Sequence, residues 1–148
     1  MYFVDRKKIE ELISYLETNL QILKNEPFGE NAKESLALER LAHMIIETMI
    51  DTGNKMIDGF IMRDPGSYED IIDILEDEKV IKVEEAMGLK RVISLRKELV
   101  QNYTNLNHKH IKLVLSDHIN ELNAFPDRIR RYLTEELGPV SAFLPKND

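Results

Sequence analysis

The sequence is organised around residues 83–103, which read VEEAMGLKRVISLRKELVQNY. On a helical wheel at 100° per residue, the apolar side chains of this stretch cover one broad arc. That arc contains Ala86, Leu89, Val92, Ile93, Leu95, Leu99 and Val100. The pattern predicts one helix from Val83 to Tyr103. Arg96 and Tyr103 lie inside the apolar arc, two turns apart on one line.

Arg96 has two readings. A guanidinium is always charged, so a buried one needs a carboxylate, a phosphate, a backbone carbonyl or an aromatic face. In the first reading Arg96 forms a structural ion pair and Tyr103 is ordinary core. In the second the two residues belong to a site that handles an anion.

Composition limits the class of protein. A chain of 148 residues with 43% hydrophobic and 32% charged residues suits one helix-rich domain. We predict that domain at 1–140 and a tail at 141–148. No cysteine is present, which excludes disulfides and thiolate sites. No apolar stretch is long enough for a membrane span or a signal sequence, so a cytoplasmic protein without membrane contact is expected. The net charge of −7 argues against unspecific nucleic-acid binding but allows a local basic cleft.

Apolar residues at helical spacing predict four further helices. The first begins at Asp5 as N-cap and ends before Pro27; the second runs from about residue 30 to 57; the third spans about 68 to 78 after Ser67 as N-cap; a last long helix follows a loop at 104–109. Pro126 should kink this last helix or start a new one. No strand pattern occurs, so an all-α bundle of four to five helices is expected. Two helices carry more apolar width than such a bundle needs, which predicts a homodimer.

The second helix also carries a polar stripe within about 60° on the wheel. Its members are Arg40, His43, Glu47, Asp51, Asn54 and Asp58. The stripe is either a solvated face or one wall of a cleft. In the second case Glu47 or Asp51 should hold Arg96.

Three other features have weaker functional readings. His43, Glu47 and Asp51 have the i,i+4 spacing of metal ligands, but no second helix carries a matching set, so neither a metal nor a cofactor is predicted. His118 falls on the apolar face of the last helix, where a lone histidine is usually a core residue. The basic cluster at 128–131 is most often a solvated face.

Arg96, four residues, Gln101, one residue and Tyr103 together resemble the Arg-x4-His-x-Tyr signature of HepT-like HEPN proteins, the YutE-type branch most closely. The resemblance extends to 4–9, to 47–57 and to Pro65-Gly66-Ser67-Tyr68 before a short helix. It covers most of the chain. The motif alone is short, and the order of all these segments is more specific.

The resemblance implies an all-helical HEPN bundle that dimerises, with both signature helices near a shared cleft. Active relatives are metal-independent ribonucleases that act as toxins. Their partner is a small nucleotidyltransferase antitoxin of the MntA kind, which in some pairs attaches AMP to the signature tyrosine. On this basis Arg96 would stabilise the scissile phosphate of RNA, and Tyr103 would be the modified tyrosine or a substrate contact. Arg40, Glu47, Asp51 and Asn54 would support the site.

Gln101 departs from the family pattern, which has histidine there. Attack by a ribose 2′-hydroxyl needs a proton acceptor, and an amide does not titrate at neutral pH. RNA cleavage is therefore in doubt. The alternatives are a non-catalytic HEPN module that binds nucleotide, RNA or protein, and, less favoured, a metal-binding helical bundle.

Overall fold

The computed structural model describes residues 2–138, and within this range seven helices and no strand are present. The all-α prediction is confirmed, with more helices than the four or five expected. The helices are α1 (Arg6–Asn25), α2 (Ala32–Gly59), α3 (Tyr68–Asp77), α4 (Val83–Ser94), α5 (Arg96–Gln101), α6 (His108–Asp117) and α7 (Ile119–Leu137). The predicted boundary at residue 140 and the tail lie outside the described residues.

Side-chain caps begin the first three helices. The Asp5 carboxylate accepts a hydrogen bond from the backbone N–H of Lys8, and the Ser67 hydroxyl accepts one from Asp70, as the sequence predicts. Asn31 caps α2 by accepting from the N–H of Glu34. That helix therefore begins two residues later than predicted, because the strongest capping side chain lies at Asn31.

The central helix of the bundle is α2, which packs against α1, α3, α5 and α6. Buried residues lie on both of its flanks, among them Leu41, Ile45 and Met49 on one and Ile46, Ile50 and Ile57 on the other. Gly53 allows α3 to approach closely, since a Cβ atom there would lie 2.3 Å from Cγ2 of Ile71. This contact brings the first turn of α3 alongside the polar stripe of α2.

Two predicted helices are interrupted. The stretch 83–103 breaks at Leu95, whose N–H donates to Val92 in a tighter turn, and α5 then ends at Gln101. The last helix breaks at His118, whereas Pro126 lies inside α7 and starts no new helix. Neither break carries a proline or a glycine. Both breaks separate helices with different packing partners: α5 and α6 pack against α2, whereas α4 packs against α3 and α7 against α1.

The described range 2–138 contains no helix that is both long and apolar enough to cross a membrane.

Candidate functional site

Arg96 is the first residue of α5, directly after the break at Leu95. Its Nε donates to Oε1 of Glu47 on α2 over 2.6 Å. The two side chains are 24% and 28% exposed, so the pair lies at the edge of the core and within reach of solvent. The predicted carboxylate partner is thus confirmed as Glu47. Asp51, the other predicted partner, makes no ion pair with Arg96.

The Tyr68 ring covers the guanidinium, with Cζ of Arg96 4.4 Å from the ring centre. Stacking of this kind suits the planar guanidinium and leaves its edges available for hydrogen bonds. Sequence reasoning placed Tyr68 only as the start of a helix and missed this contact. The available signal was the Pro-Gly-Ser-Tyr turn, since the cap at Ser67 fixes where the ring projects.

The terminal nitrogens of Arg96, Nη1 and Nη2, donate no hydrogen bond to any residue in the range 2–138. Glu47 accepts from Nε alone. This hydrogen bond, partly opposed by burial, raises the pKa of Arg96 above its ordinary value, so the charge is permanent. The result is a guanidinium fixed in position by a carboxylate and a ring, with its outer edge free for an anion.

His43 lies one turn before Glu47 on α2 and contacts the same carboxylate oxygen. Its Nε2 is 3.7 Å from Glu47 Oε1. One further turn towards the start of α2, Oε2 of Glu39 lies 2.7 Å from Nε2 of His108 on α6. The line Glu39, His43, Glu47 therefore faces α5 and α6, which supports the cleft reading for this part of the stripe.

The remaining stripe residues lie further from Arg96. Asp51 is exposed; loss of hydration and the negative charge of Glu47 raise its pKa. Arg40 is exposed and lines a shallow cavity beside Tyr15 and Met44. Asn54 is half-buried one turn beyond Asp51. None of the three contacts Arg96, so their supporting roles stay predictions.

Gln101 and Tyr103 do not join Arg96. Gln101 is the exposed last residue of α5, and Tyr103 follows in a turn with 65% of its surface exposed. The prediction that Tyr103 lies in the apolar arc is wrong, because the helix ends before it. Within the described residues neither side chain forms a hydrogen bond with the guanidinium. Their catalytic roles and the modification of Tyr103 stay predictions.

An open depression of about 640 Å³ lies between the loop at 28–30 and the start of α6, beside His108. Lys112 crosses it to donate to the carbonyl of Phe28. The loop residues Asn105 and Asn107 complete its wall. Arg96, Glu47 and His43 do not line this depression.

The arginines of the basic cluster at 128–131 form ion pairs. Arg128 donates to both carboxylate oxygens of Glu85, and Arg130 is held by Glu10 and Glu17, so this basic cluster is paired rather than simply solvated. His118 is half-buried rather than a core residue, and its two ring nitrogens are buried without a hydrogen bond in the described structure. Across residues 2–138, no three His, Asp or Glu side chains come together as metal ligands could.

Comparison with known proteins gives the family. A family model described as ribonuclease HepT-like matches residues 8–129. One relative is YutE of Bacillus subtilis, which is named as a candidate RNase. It is 50% identical to this chain over 143 residues, which are 97% of this chain and 99% of YutE. A solved structure of YutE, described as a cytosolic protein of unknown function, matches with a TM-score of 0.93 over 97% of this chain and 100% of that one.

Two more distant structures share the fold. A toxin–antitoxin structure with AMP-PNP matches with a TM-score of 0.74 at 19% identity, over 83% of this chain and 97% of the other. The tri-AMPylated HEPN toxin of Shewanella oneidensis, in complex with its MNT antitoxin, matches with a TM-score of 0.73 at 20% identity, over 83% and 96%. At these identities the likeness concerns the fold. The family match and the similarity to YutE together show that this chain belongs to the HepT-like ribonuclease family of HEPN proteins.

Proposed function

We propose that this protein binds RNA as a toxin of the HepT type, with Arg96 gripping a backbone phosphate. The observation that carries the proposal is the state of the guanidinium. Glu47 and Tyr68 fix it, while Nη1 and Nη2 remain without an acceptor in the described structure. Two parallel N–H groups on one rigid edge match two oxygens of a phosphate.

The charge balance fits a local rather than a general attraction to RNA. The chain carries a net charge of −7, and the outer side of α3 is acidic. Long-range electrostatics therefore repel a polyanion. Binding must come from short-range contacts at a defined position, such as the surface around Arg96 where α5 packs against α2, which favours a specific RNA over bulk nucleic acid.

We further propose a homodimer in the cytoplasm, with a small nucleotidyltransferase as its antitoxin. Exposed apolar side chains support the dimer: Val83 and Met87, one turn apart on α4, are 72% and 77% exposed. Exposure of Tyr103 supports access by an enzyme that attaches AMP. Support for the antitoxin comes from the structural neighbours, which are toxin–antitoxin assemblies. Sedimentation velocity of the protein alone, then mixed with such a nucleotidyltransferase, tests both assemblies.

Fluorescence anisotropy with labelled single-stranded RNA tests the RNA-binding proposal. Arg96→Ala should weaken binding at least about tenfold, the loss of about 1.4 kcal/mol expected for a charge-assisted bidentate contact. Lys97→Ala is the matched control, because it removes the same charge from the exposed neighbouring residue. It should change affinity by less than about twofold.

Equal losses in the two variants would mean that only total charge matters, and the proposed phosphate site would be wrong. The second candidate function is a protein-binding HEPN module. It is favoured by Gln101, which stands where the family signature has histidine. It predicts no measurable affinity of the wild-type protein for RNA.

A further inference from the structure

We propose that His43 is the proton acceptor for RNA cleavage at this site. It would take the role of the family histidine, whose position in this chain is occupied by Gln101. The inference rests on the RNA-binding function proposed above. Gln101 does not titrate, and it lies exposed at the end of α5 without a contact to Arg96. A ribonuclease at this site needs a proton acceptor from another element, and α2 supplies the imidazole of His43.

The geometry that carries the inference is a shared oxygen. Oε1 of Glu47 receives Nε of Arg96 at 2.6 Å and lies 3.7 Å from Nε2 of His43. Imidazole and guanidinium are therefore neighbours around one atom. A phosphate on the free edge of Arg96 would place its nucleotide beside the His43 ring.

The His43 ring is also available. Neither of its nitrogens is hydrogen-bonded within residues 2–138, and the side chain is 31% exposed. A general base must be free to accept a proton and within reach of solvent to lose it again. The half-buried position on the central helix α2 holds the ring while leaving one side open.

The other three histidines, all within the described range, are worse placed. His108 is engaged by Glu39, two turns of α2 from Glu47, a rise of about 12 Å. His110 lies on α6 and makes no ion pair or side-chain hydrogen bond in the described structure. His118 is half-buried, with Nδ1 3.6 Å from Oε1 of Glu121 and the ring against Gly88 of α4. Only His43 contacts the carboxylate that holds Arg96.

Charged groups of both signs lie near His43. Glu47 of α2 is its direct contact, and Arg96 of α5 pairs with the same carboxylate under the ring of Tyr68 from α3. Glu39, one turn earlier on α2, pairs with His108 of α6, and Arg40 follows Glu39 on the same helix.

The proposed cleavage step uses neither a metal nor a redox partner. His43 takes the proton of a ribose 2′-hydroxyl, whose oxygen attacks the adjacent phosphorus while the P–O5′ bond breaks. Arg96 neutralises the charge that develops on the phosphoryl oxygens. Water gives a proton to the departing 5′-oxygen, and His43 returns its own proton to solvent. The products are a 2′,3′-cyclic phosphate and a 5′-hydroxyl.

The test compares cleavage of a labelled single-stranded RNA by wild type, His43→Gln and the control His110→Gln, with chelator present. Affinity is measured separately with 2′-O-methyl RNA, which cannot be cut. His43→Gln should cleave about 10²–10⁴-fold more slowly, with affinity within about twofold of wild type. It should also lose the rise in rate across about pH 5 to 8, where an imidazole changes charge. His110→Gln should match wild type in all three measurements.

A second variant guards against misfolding. His43→Ala should regain part of its activity when free imidazole is added, which only a lost proton acceptor explains. Cleavage by His43→Gln at the wild-type rate and pH profile overturns the inference. Wild-type protein that binds 2′-O-methyl RNA through Arg96 but never cuts RNA also overturns it and leaves the RNA-binding function intact. Wild-type protein that binds no RNA overturns both.

Discussion

Two arginines of this protein, Arg130 and Arg96, differ in how many of their guanidinium nitrogens donate hydrogen bonds within the described structure. Arg130 on α7 donates to Glu10 through Nε and Nη2 and to Glu17 through both terminal nitrogens. All three of its guanidinium nitrogens donate hydrogen bonds, and these contacts join α7 to α1. Arg96 donates to Glu47 from Nε alone, and the face of its guanidinium lies over the Tyr68 ring. A saturated guanidinium stabilises the fold, whereas one held in place with free donors is available to a ligand.

The same contrast holds between the carboxylates. Glu85 accepts from Arg128 at both oxygens and from the backbone N–H of Lys82, and it is buried. Burial raises the pKa of Glu85, but these hydrogen bonds outweigh it, and the net shift is downward. Glu47 accepts from Arg96 through one oxygen and is 28% exposed. We propose that it positions the guanidinium for a ligand.

The largest expected effect in this comparison is on stability. Glu85→Ala leaves Arg128 unpaired near the core and removes the acceptor for the first turn of α4. We expect a loss of about 2–3 kcal/mol, below the upper range for fully buried pairs because Arg128 keeps some exposure. Urea unfolding followed by circular dichroism measures it. Glu84→Ala, at the exposed neighbouring residue, should cost less than about 0.5 kcal/mol of unfolding free energy. A similarly small loss in Glu85→Ala would show that the Glu85 carboxylate does not stabilise the fold.

Glu47→Ala should have a smaller effect on folding and a visible one on binding. The pair is half-exposed, so its loss should cost less than about 1 kcal/mol. RNA affinity should nevertheless fall about threefold or more, because Arg96 is no longer oriented. Asp58→Ala, an exposed carboxylate at the end of the same stripe that is assigned no role in the site, should leave both quantities unchanged. Unchanged RNA affinity in Glu47→Ala would show that the carboxylate has no positioning role.

Local signals in the sequence predicted the parts of the fold that local chemistry controls. Asp5 and Ser67 begin helices because their side chains satisfy free N–H groups, and such caps are visible in the chain itself. The pairing of Arg96 with Glu47 was also predictable, because an arginine on an apolar arc requires a partner and α2 carries a polar stripe.

The helix breaks at Leu95 and His118 were not predictable, since neither position carries a residue that disfavours helix. They separate helices that pack against different partners, and such tertiary contacts involve distant parts of the chain. The misplacement of Tyr103 is a consequence: the wheel assumed one continuous helix, whereas α5 ends at Gln101. The cover of Arg96 by Tyr68 was missed for the same reason, because it joins residues from separate helices.

The central claim is that Arg96 serves a ligand and Arg130 serves the fold. Measuring both unfolding free energy and RNA affinity for Arg96→Met and Arg130→Met tests it most directly. Arg130→Met should lose about 1–2 kcal/mol of stability, since its pairs are partly exposed, and keep RNA affinity within about twofold. Arg96→Met should unfold within about 0.5 kcal/mol of wild type, yet bind RNA at least about tenfold more weakly. If Arg96→Met instead lost stability like Arg130→Met and bound RNA like wild type, Arg96 would be a structural arginine and the account would be contradicted.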